Sequence, residues 1–222
     1  MKEFADMPMH ILEARNRAEM QDFGRLLTNE EREKNRQMRE MESRGITAGE
    51  CFRAPRRYEN ATFETFECDN DKERAVVEHM RSGKSAVLYG SNGTGKTHLA
   101  IAACRHQFEL GKSVKYTTVF ELFSEIKQSF GGGDPMRIVE QYSGYGYLVI
   151  DEIDKAYGTE TEFLYFYQIV NRRYNEMRHT VIITNADRQS LPKVVGVSTL
   201  DRIASDGKLI EMTGENYRQK RA

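Results

Sequence analysis

The sequence predicts an α/β domain built on a parallel sheet with helices on both faces. Three observations predict it. Short apolar, β-branched runs alternate with helical stretches; a glycine-rich segment, GSNGTGKT, lies between one such run and a helix; and a later run ends in two acids, Asp151 and Glu152. Strands covered on both faces read as near-continuous apolar runs rather than alternating ones. At 222 residues the chain has room for one ordinary core domain and a small appendage.

The appendage comes first. Residues 1 to about 27 scatter Met7, Met9, Ile11, Leu12, Met20, Phe23, Leu26 and Leu27 among polar positions. Thr28 and Glu31 have the spacing of a capping box, in which each side chain satisfies one orphan amide at a helix start. The following EEREKNRQMREMESRG is almost wholly charged and reads as a helix ending near Gly45. So polar a helix does not bury itself in a core, which leaves a solvated connector. The methionine-rich stretch before it also suits docking on a partner, because methionine adapts to varied surfaces. This gives a helical segment over 1–44, a linker over 45–60 containing Pro55 and Arg56-Arg57, and an α/β domain over 61–222.

Within that domain Asp69 or Asn70 can cap a helix running to about Arg81. Strand SAVLY, a helix from Lys96 to about Glu109, strand SVKYTTV and helix FELFSEIKQSF follow. The run Gly131-Gly132-Gly133 breaks the chain before another short helix. Strand YLVID, a helix from about Glu160 to Met177, strand TVIIT and a last strand near KLIEM complete the order. Gly144-Tyr145-Gly146 lacks a third glycine and precedes a strand, so it reads as a simple turn.

Bulk properties exclude several classes. No apolar run approaches the roughly 18 residues of a membrane span, and acids interrupt the N-terminus before a signal-like core can form. Cys51, Cys68 and Cys104 form no CxxC pair and read as reduced thiols, which with the missing signal points to the cytoplasm. The net charge of −1 means that any nucleic-acid contact must come from a local patch.

Gly90-Ser91-Asn92-Gly93-Thr94-Gly95-Lys96-Thr97 matches G-x-x-x-x-G-K-[ST] in full, in the strand-to-helix context that the motif requires. Gly93 and Gly95 let the backbone curl so that its amides face phosphates, and the new helix adds its positive end. Lys96 is expected at the β- and γ-phosphates of ATP and Thr97 on Mg²⁺, with His98 completing the cofactor-binding set.

In a P-loop sheet the acidic strand end lies beside the nucleotide strand. Asp151 then suits a Mg²⁺ ligand, and Glu152 a base that polarises water against the γ-phosphate. Strand TVIIT ends at Asn185, whose neutral amide can hold that water or the γ-phosphate; taken alone it reads equally as a turn residue. Arg202 and Arg218 lie further on and, taken alone, read as surface arginines, although phosphoryl transfer profits from an arginine supplied by a neighbour.

At this point the chain resembles a family, the AAA+ ATPases of the DnaC/IstB type, with the nearer likeness to DnaC-like replicative helicase loaders, phage-encoded versions included. The resemblance runs from about Arg44 to Arg218 through SRGI, YENATFETFE, GTGKTHLA, GKSV, YLVIDEID, QIVNRRYN, ITN, LDRI and NYR. It implies a P-loop AAA+ fold, self-association through that domain, and slow, DNA-stimulated ATP hydrolysis. It also implies loading of a hexameric replicative helicase onto single-stranded DNA. Carried over, Lys96 and Thr97 look like Walker A, Asp151 and Glu152 like Walker B, Asn185 like sensor 1, Arg202 like the arginine finger and Arg218 like sensor 2. Helix FELFSEIKQSF looks like the one lining the DNA path in loaders. Lys127 then becomes a candidate phosphate contact and Phe130 a base-stacking contact; a solvated lysine and a core phenylalanine are the other reading. Two features depart from the family: Ser198 stands where some loaders place a second arginine, and the N-terminal segment lacks the cysteine spacing of a zinc site. In the family that segment grips the helicase.

An IstB-like transposition helper, with a transposase partner and duplex DNA, shares the same ATPase core and remains the alternative. A small-molecule kinase would need an acceptor pocket and a lid with arginines; the acid pair and Asn185 suit water as acceptor better. An adaptor that binds ATP and scarcely hydrolyses it is a variant of the same reading.

Overall fold

The computed structural model describes residues 52, 54–155, 159–214 and 217, all within the larger of two compact units, Ile46–Ala222. The readings for residues 1–44, and for Arg218, lie outside the described residues. Five strands form one parallel sheet in the order β2-β3-β4-β1-β5: β1 is Ala86–Tyr89, β2 Val114–Thr118, β3 Tyr147–Asp151, β4 His179–Ile183 and β5 Lys208–Glu211. Every pairing is parallel, with Val87 opposite Ile182 and Leu209, and Thr118 opposite Asp151. The α/β architecture expected from the apolar runs is therefore the one observed.

Alternate residues of the central strands feed two separate cores. Ala86, Leu88, Val149, Val181 and Ile183 face α1 (Asp71–Arg81) and α2 (Lys96–Glu109) together with Phe52, Phe63 and Met80. Val87, Tyr89, Leu148, Ile150 and Ile182 face α3 (Val119–Ser129), α4 (Pro135–Gly144), α5 (Glu160–Asn175) and, through Leu200 and Ile203, α7 (Val197–Asp206). Burial on both faces is why these strands carry no polar alternation.

Capping chemistry sets the helix starts. Asn70 accepts the Glu73 amide at the start of α1 at 3.0 Å, so Asn70 rather than Asp69 is the cap. Thr118 with Glu121, and Thr159 with Glu162, form reciprocal capping boxes that open α3 and α5. The first box makes α3 begin at Val119, so that the strand expected over SVKYTTV ends one residue earlier. Helix α5 stops at Asn175, short of the expected Met177, because Met177 adopts φ 53 and turns the chain into β4. Two short helices, α6 (Leu191–Val194) and α7, follow β4 where the sequence reading assigned nothing. Gly196 and Gly207 bound α7, and Val197, Leu200 and Ile203 recur along it at helical spacing, so its signal is present in the sequence.

One end of the sheet is held by a buried arginine. Arg173, with no exposed surface, donates from Nη1 to the carbonyls of Tyr142, Ser143 and Tyr145, from Nη2 to that of His179, and from Nε to Thr180 Oγ1 at 2.8 Å. It thus ties the turn before β3, the end of α5 and the start of β4 together. Nearby, His79 contacts the Ser85 carbonyl at 3.0 Å and His179 lies 3.5 Å from Asp206.

Two outcomes follow. Arg173→Leu strands several buried carbonyls, so a loss of about 3–5 kcal/mol is expected in urea unfolding, and Arg173→Lys, lacking the planar fork, recovers only part of it. Burial lowers the pKa of both His79 and His179, outweighing the Ser85 carbonyl and Asp206 that oppose it. A base depressed on folding contributes stability that is complete above its unfolded pKa and lost as pH falls. Unfolding free energy is therefore expected to drop between about pH 7.5 and about pH 5.5, with a flatter dependence in the His79→Gln, His179→Gln variant.

Candidate active site

The C-terminal ends of β1, β3 and β4 open onto a cleft of about 430 Å³. Its walls are the loop after β1, the acid pair after β3, Asn185 after β4, and the lead-in segment around Tyr58 and Phe66. Ligands in parallel α/β sheets bind at this end, where the turns are free of the sheet and helix N-termini converge.

The glycine-rich loop is shaped by its neighbours as well as by its own residues. Gly95, at φ 87, is the left-handed residue before α2, and a Cβ there would come within 2.6 Å of Phe66 Cε2. Gly90 carries φ 114, and its Cβ would meet the Met212 carbonyl at 2.8 Å. Lys96 is buried and folds back over the loop, with Nζ donating to the carbonyls of Gly90 at 2.7 Å and Ser91 at 2.6 Å. Thr94 Oγ1 donates to the Ser91 carbonyl at 3.0 Å. The Tyr217 amide donates to the Gly93 carbonyl at 3.1 Å.

Three elements converge on Asp151. Its Oδ2 accepts from Thr97 Oγ1 at 3.0 Å and from the Tyr116 hydroxyl at 2.8 Å, and its Oδ1 from the Glu152 amide at 2.6 Å. Burial raises the Asp151 pKa above the usual carboxylate range, and these donors together with Lys96 counter it. Burial beside Asp151 drives the Tyr116 phenol far upward, so it remains a donor. The hydroxyl of Thr97 and the carboxylate of Asp151 are hard oxygen donors side by side on the cleft, a set that fits Mg²⁺. Glu152 is exposed at the cleft with φ 58, a left-handed conformation uncommon for a side chain of its size.

Asn185 also lines the cleft. Its backbone amide donates to Asp154 Oδ1 at 2.9 Å and its side-chain Nδ2 to Asp154 Oδ2 at 3.4 Å; Thr184 Oγ1 donates to the same carboxylate at 3.1 Å. Burial pushes the Asp154 pKa up, but these donors outweigh it and the net shift is downward. The sequence motifs single out neither Asp154 nor Tyr116. Asp154 could have been found as the polar residue three positions after Asp151, whereas Tyr116 sits inside an apolar strand run and carries no such signal.

The remaining residues separate. His98 lines the cleft, and its Nε2 engages the Thr62 carbonyl at 3.0 Å and Thr65 Oγ1 at 3.1 Å, beside the Phe66 ring. Arg202 stands apart from the cleft on α7, packed against α5. Its Nε donates to Asn171 Oδ1, its Nη1 to the Ser198 carbonyl and its Nη2 to the Tyr167 hydroxyl, each at 2.8 Å, and the guanidinium lies 4.8 Å from the Tyr167 ring centre. Lys127 pairs with Glu162 at 3.1 Å, and Phe130 is 56% exposed beside Tyr165, outside both cores. Cys68 and Cys104 are free thiols, and among the described residues no helix is long and apolar enough to cross a membrane.

A five-stranded parallel sheet with a P-loop after β1, acids after β3 and a polar residue after β4 defines a P-loop ATPase domain of the AAA+ class. Comparison with known proteins gives its place within that class. Residues 9–222 match the family described as IstB-like ATP binding protein, and the chain belongs to that family. It is 30% identical over 174 residues to the replicative helicase loader DnaC of Escherichia coli K12, covering 73% of this chain and 71% of that protein. The crystal structure of the DnaC helicase loader superposes with a TM-score of 0.59 at 22% identity, covering 72% of this chain and all of that one (100%). A DNA replication initiation factor superposes with a TM-score of 0.63 at 25% identity, this chain spanning 52% of its length and matching over 72% of its own.

Alanine at position 95 combines a positive φ with contact against Phe66. Gly95→Ala is expected to weaken binding of a fluorescent ATP analogue by about tenfold, the equivalent of the 1–2 kcal/mol that left-handed backbone costs a side chain. Unchanged affinity would mean that the loop does not hold this conformation when nucleotide is bound.

Proposed function

We propose that this chain is an ATP-dependent loader that places a hexameric replicative helicase on single-stranded DNA during initiation of replication. The observation that carries the reading is the convergence of Thr97 and Tyr116 on Asp151 beside the P-loop, with Arg202 held rigidly elsewhere. One arrangement belongs to a site that binds nucleotide, and the other to a half-buried side chain fixed in place by its own chain.

In this reading the loop from Gly90 to Thr97 cradles the phosphates of ATP, and Lys96 leaves the loop carbonyls for the β- and γ-phosphates. Thr97 and Asp151 hold Mg²⁺, which when bound offsets charge on the phosphate oxygens. Glu152 accepts a proton from the attacking water, and Asn185 holds that water in place. Arg202 serves the nucleotide of a neighbouring copy. Its hydrogen bonds to Asn171 and Tyr167 support this role, because an arginine held in advance loses little freedom on engaging a phosphate. Arg218 is assigned as the second sensor on the motif alone.

The kinship with DnaC loaders supports a helicase as the partner, gripped by residues 1–44. The exposure of Phe130, which caps the end of α3, supports base stacking over a place in the core; Lys127, in the last turn of α3, is assigned to phosphate contact. The match to the IstB-like family favours a second reading, a transposition helper with the same ATPase core. Partner choice separates the two. The full chain is expected to co-purify with a hexameric replicative helicase, with retention differing between ATP-bound and nucleotide-free samples. Retention of a transposase instead, with none of the helicase, would select the second reading.

A further inference from the structure

Asp154 lies on the single 3₁₀ turn, Ile153–Lys155, that follows the acid pair, and it reaches across to the end of the neighbouring strand. Its carboxylate receives the Thr184 hydroxyl, the Asn185 backbone amide and the Asn185 side-chain amide. The network continues from there. Thr184 Oγ1 accepts the Ala186 amide at 3.1 Å, and the Ala186 carbonyl accepts the Gly90 amide at 3.2 Å, so Asp154 is linked through the end of β4 to the first residue of the phosphate loop.

A carboxylate only accepts hydrogen bonds. The limb of the Asn185 amide facing Asp154 is therefore its NH2, and Oδ1 is left uncommitted to that carboxylate. An asparagine in a turn has no such constraint, because its two limbs can exchange by a flip that costs little. Here the flip would set two oxygens against each other beside an anion. Asn185 shares the cleft with Glu152 and Lys96, where a nucleophilic water has to be oriented.

We propose that Asp154 is a positioning residue for ATP hydrolysis, fixing the Asn185 amide so that Oδ1 is the acceptor offered to the attacking water. This rests on the assignment of Asn185 to that water. Asp154 touches neither nucleotide nor water and acts through Asn185. The second effect of the same carboxylate is to hold the end of β4 in register with the loop. That effect alone would alter stability or nucleotide affinity rather than turnover.

The test is a cycle of Asp154→Ala, Asn185→Ala and the double variant, read as kcat, KM, affinity for a fluorescent ATP analogue, and melting temperature. Each single variant is expected to lower kcat by about tenfold or more with KM and affinity within about twofold, and the double variant is expected to be no slower than Asn185→Ala. Asp154→Asn, which keeps an acceptor but loses the charge, is expected to fall between wild type and Asp154→Ala. Should Asp154→Ala fail to fold, Asp154→Asn with Asn185→Ala gives the same comparison. Multiplying losses in the double variant would overturn the proposal, since Asp154 would then act independently. Full kcat in both Asp154 variants beside a slow Asn185→Ala would overturn it alone. Full kcat in Asn185→Ala would remove the role of Asn185 itself and this inference with it.

Discussion

The cleft depends on a carboxylate, Asp151, that is buried and yet supplied with donors from three directions. Taken out of water alone it would be neutral; the hydroxyls of Thr97 and Tyr116 and the Glu152 amide are what make an anion tolerable there. Each donor belongs to a different element: the helix after the loop, strand β2, and the chain leaving β3. The same bonds that stabilise the charge therefore fix the loop against the sheet. A hard cation brought to this point would meet oxygens already gathered, which is how a small site gains affinity without reorganising.

The two ends of the sheet are built on opposite principles. At the far end the guanidinium of Arg173 sits among carbonyl oxygens with no carboxylate partner among the described residues, and its bonds close a turn, a helix end and a strand start. This is structural chemistry, with every guanidinium nitrogen hydrogen-bonded and none exposed. At the cleft end the polar groups are held but not used up: Glu152 is exposed, and Asn185 offers its second amide limb. The rigid end allows the other to carry strained and exposed groups.

Much of this was legible in the sequence, because the strongest signals are local. The P-loop, the apolar strand ending in Asp151 and Glu152, and the strand ending at Asn185 each announce themselves within eight residues or fewer, and the sheet brings all three to one cleft. What was not legible is what depends on side chains meeting across elements. Tyr116 reads as one more strand residue until β2 is set beside β3 in register. Asp154 carries no assignment of its own until β4 is paired with β3. Helix α7, which carries Arg202, is a signal the motif reading passes over: Val197, Leu200 and Ile203 recur at helical spacing between two glycines. Met177 ended α5 early through a backbone conformation that no periodic pattern encodes.

The left-handed backbone at Glu152 has a consequence for how this chain can change. A residue with a Cβ is held at φ 58 at a cost of about 1 kcal/mol, so glycine there would relax the turn while deleting the carboxylate. Selection for stability alone, in an engineered library or in a lineage released from its task, would pull this position toward glycine. A persistent acid at such a position is therefore a record of use, written in the backbone as well as in the side chain.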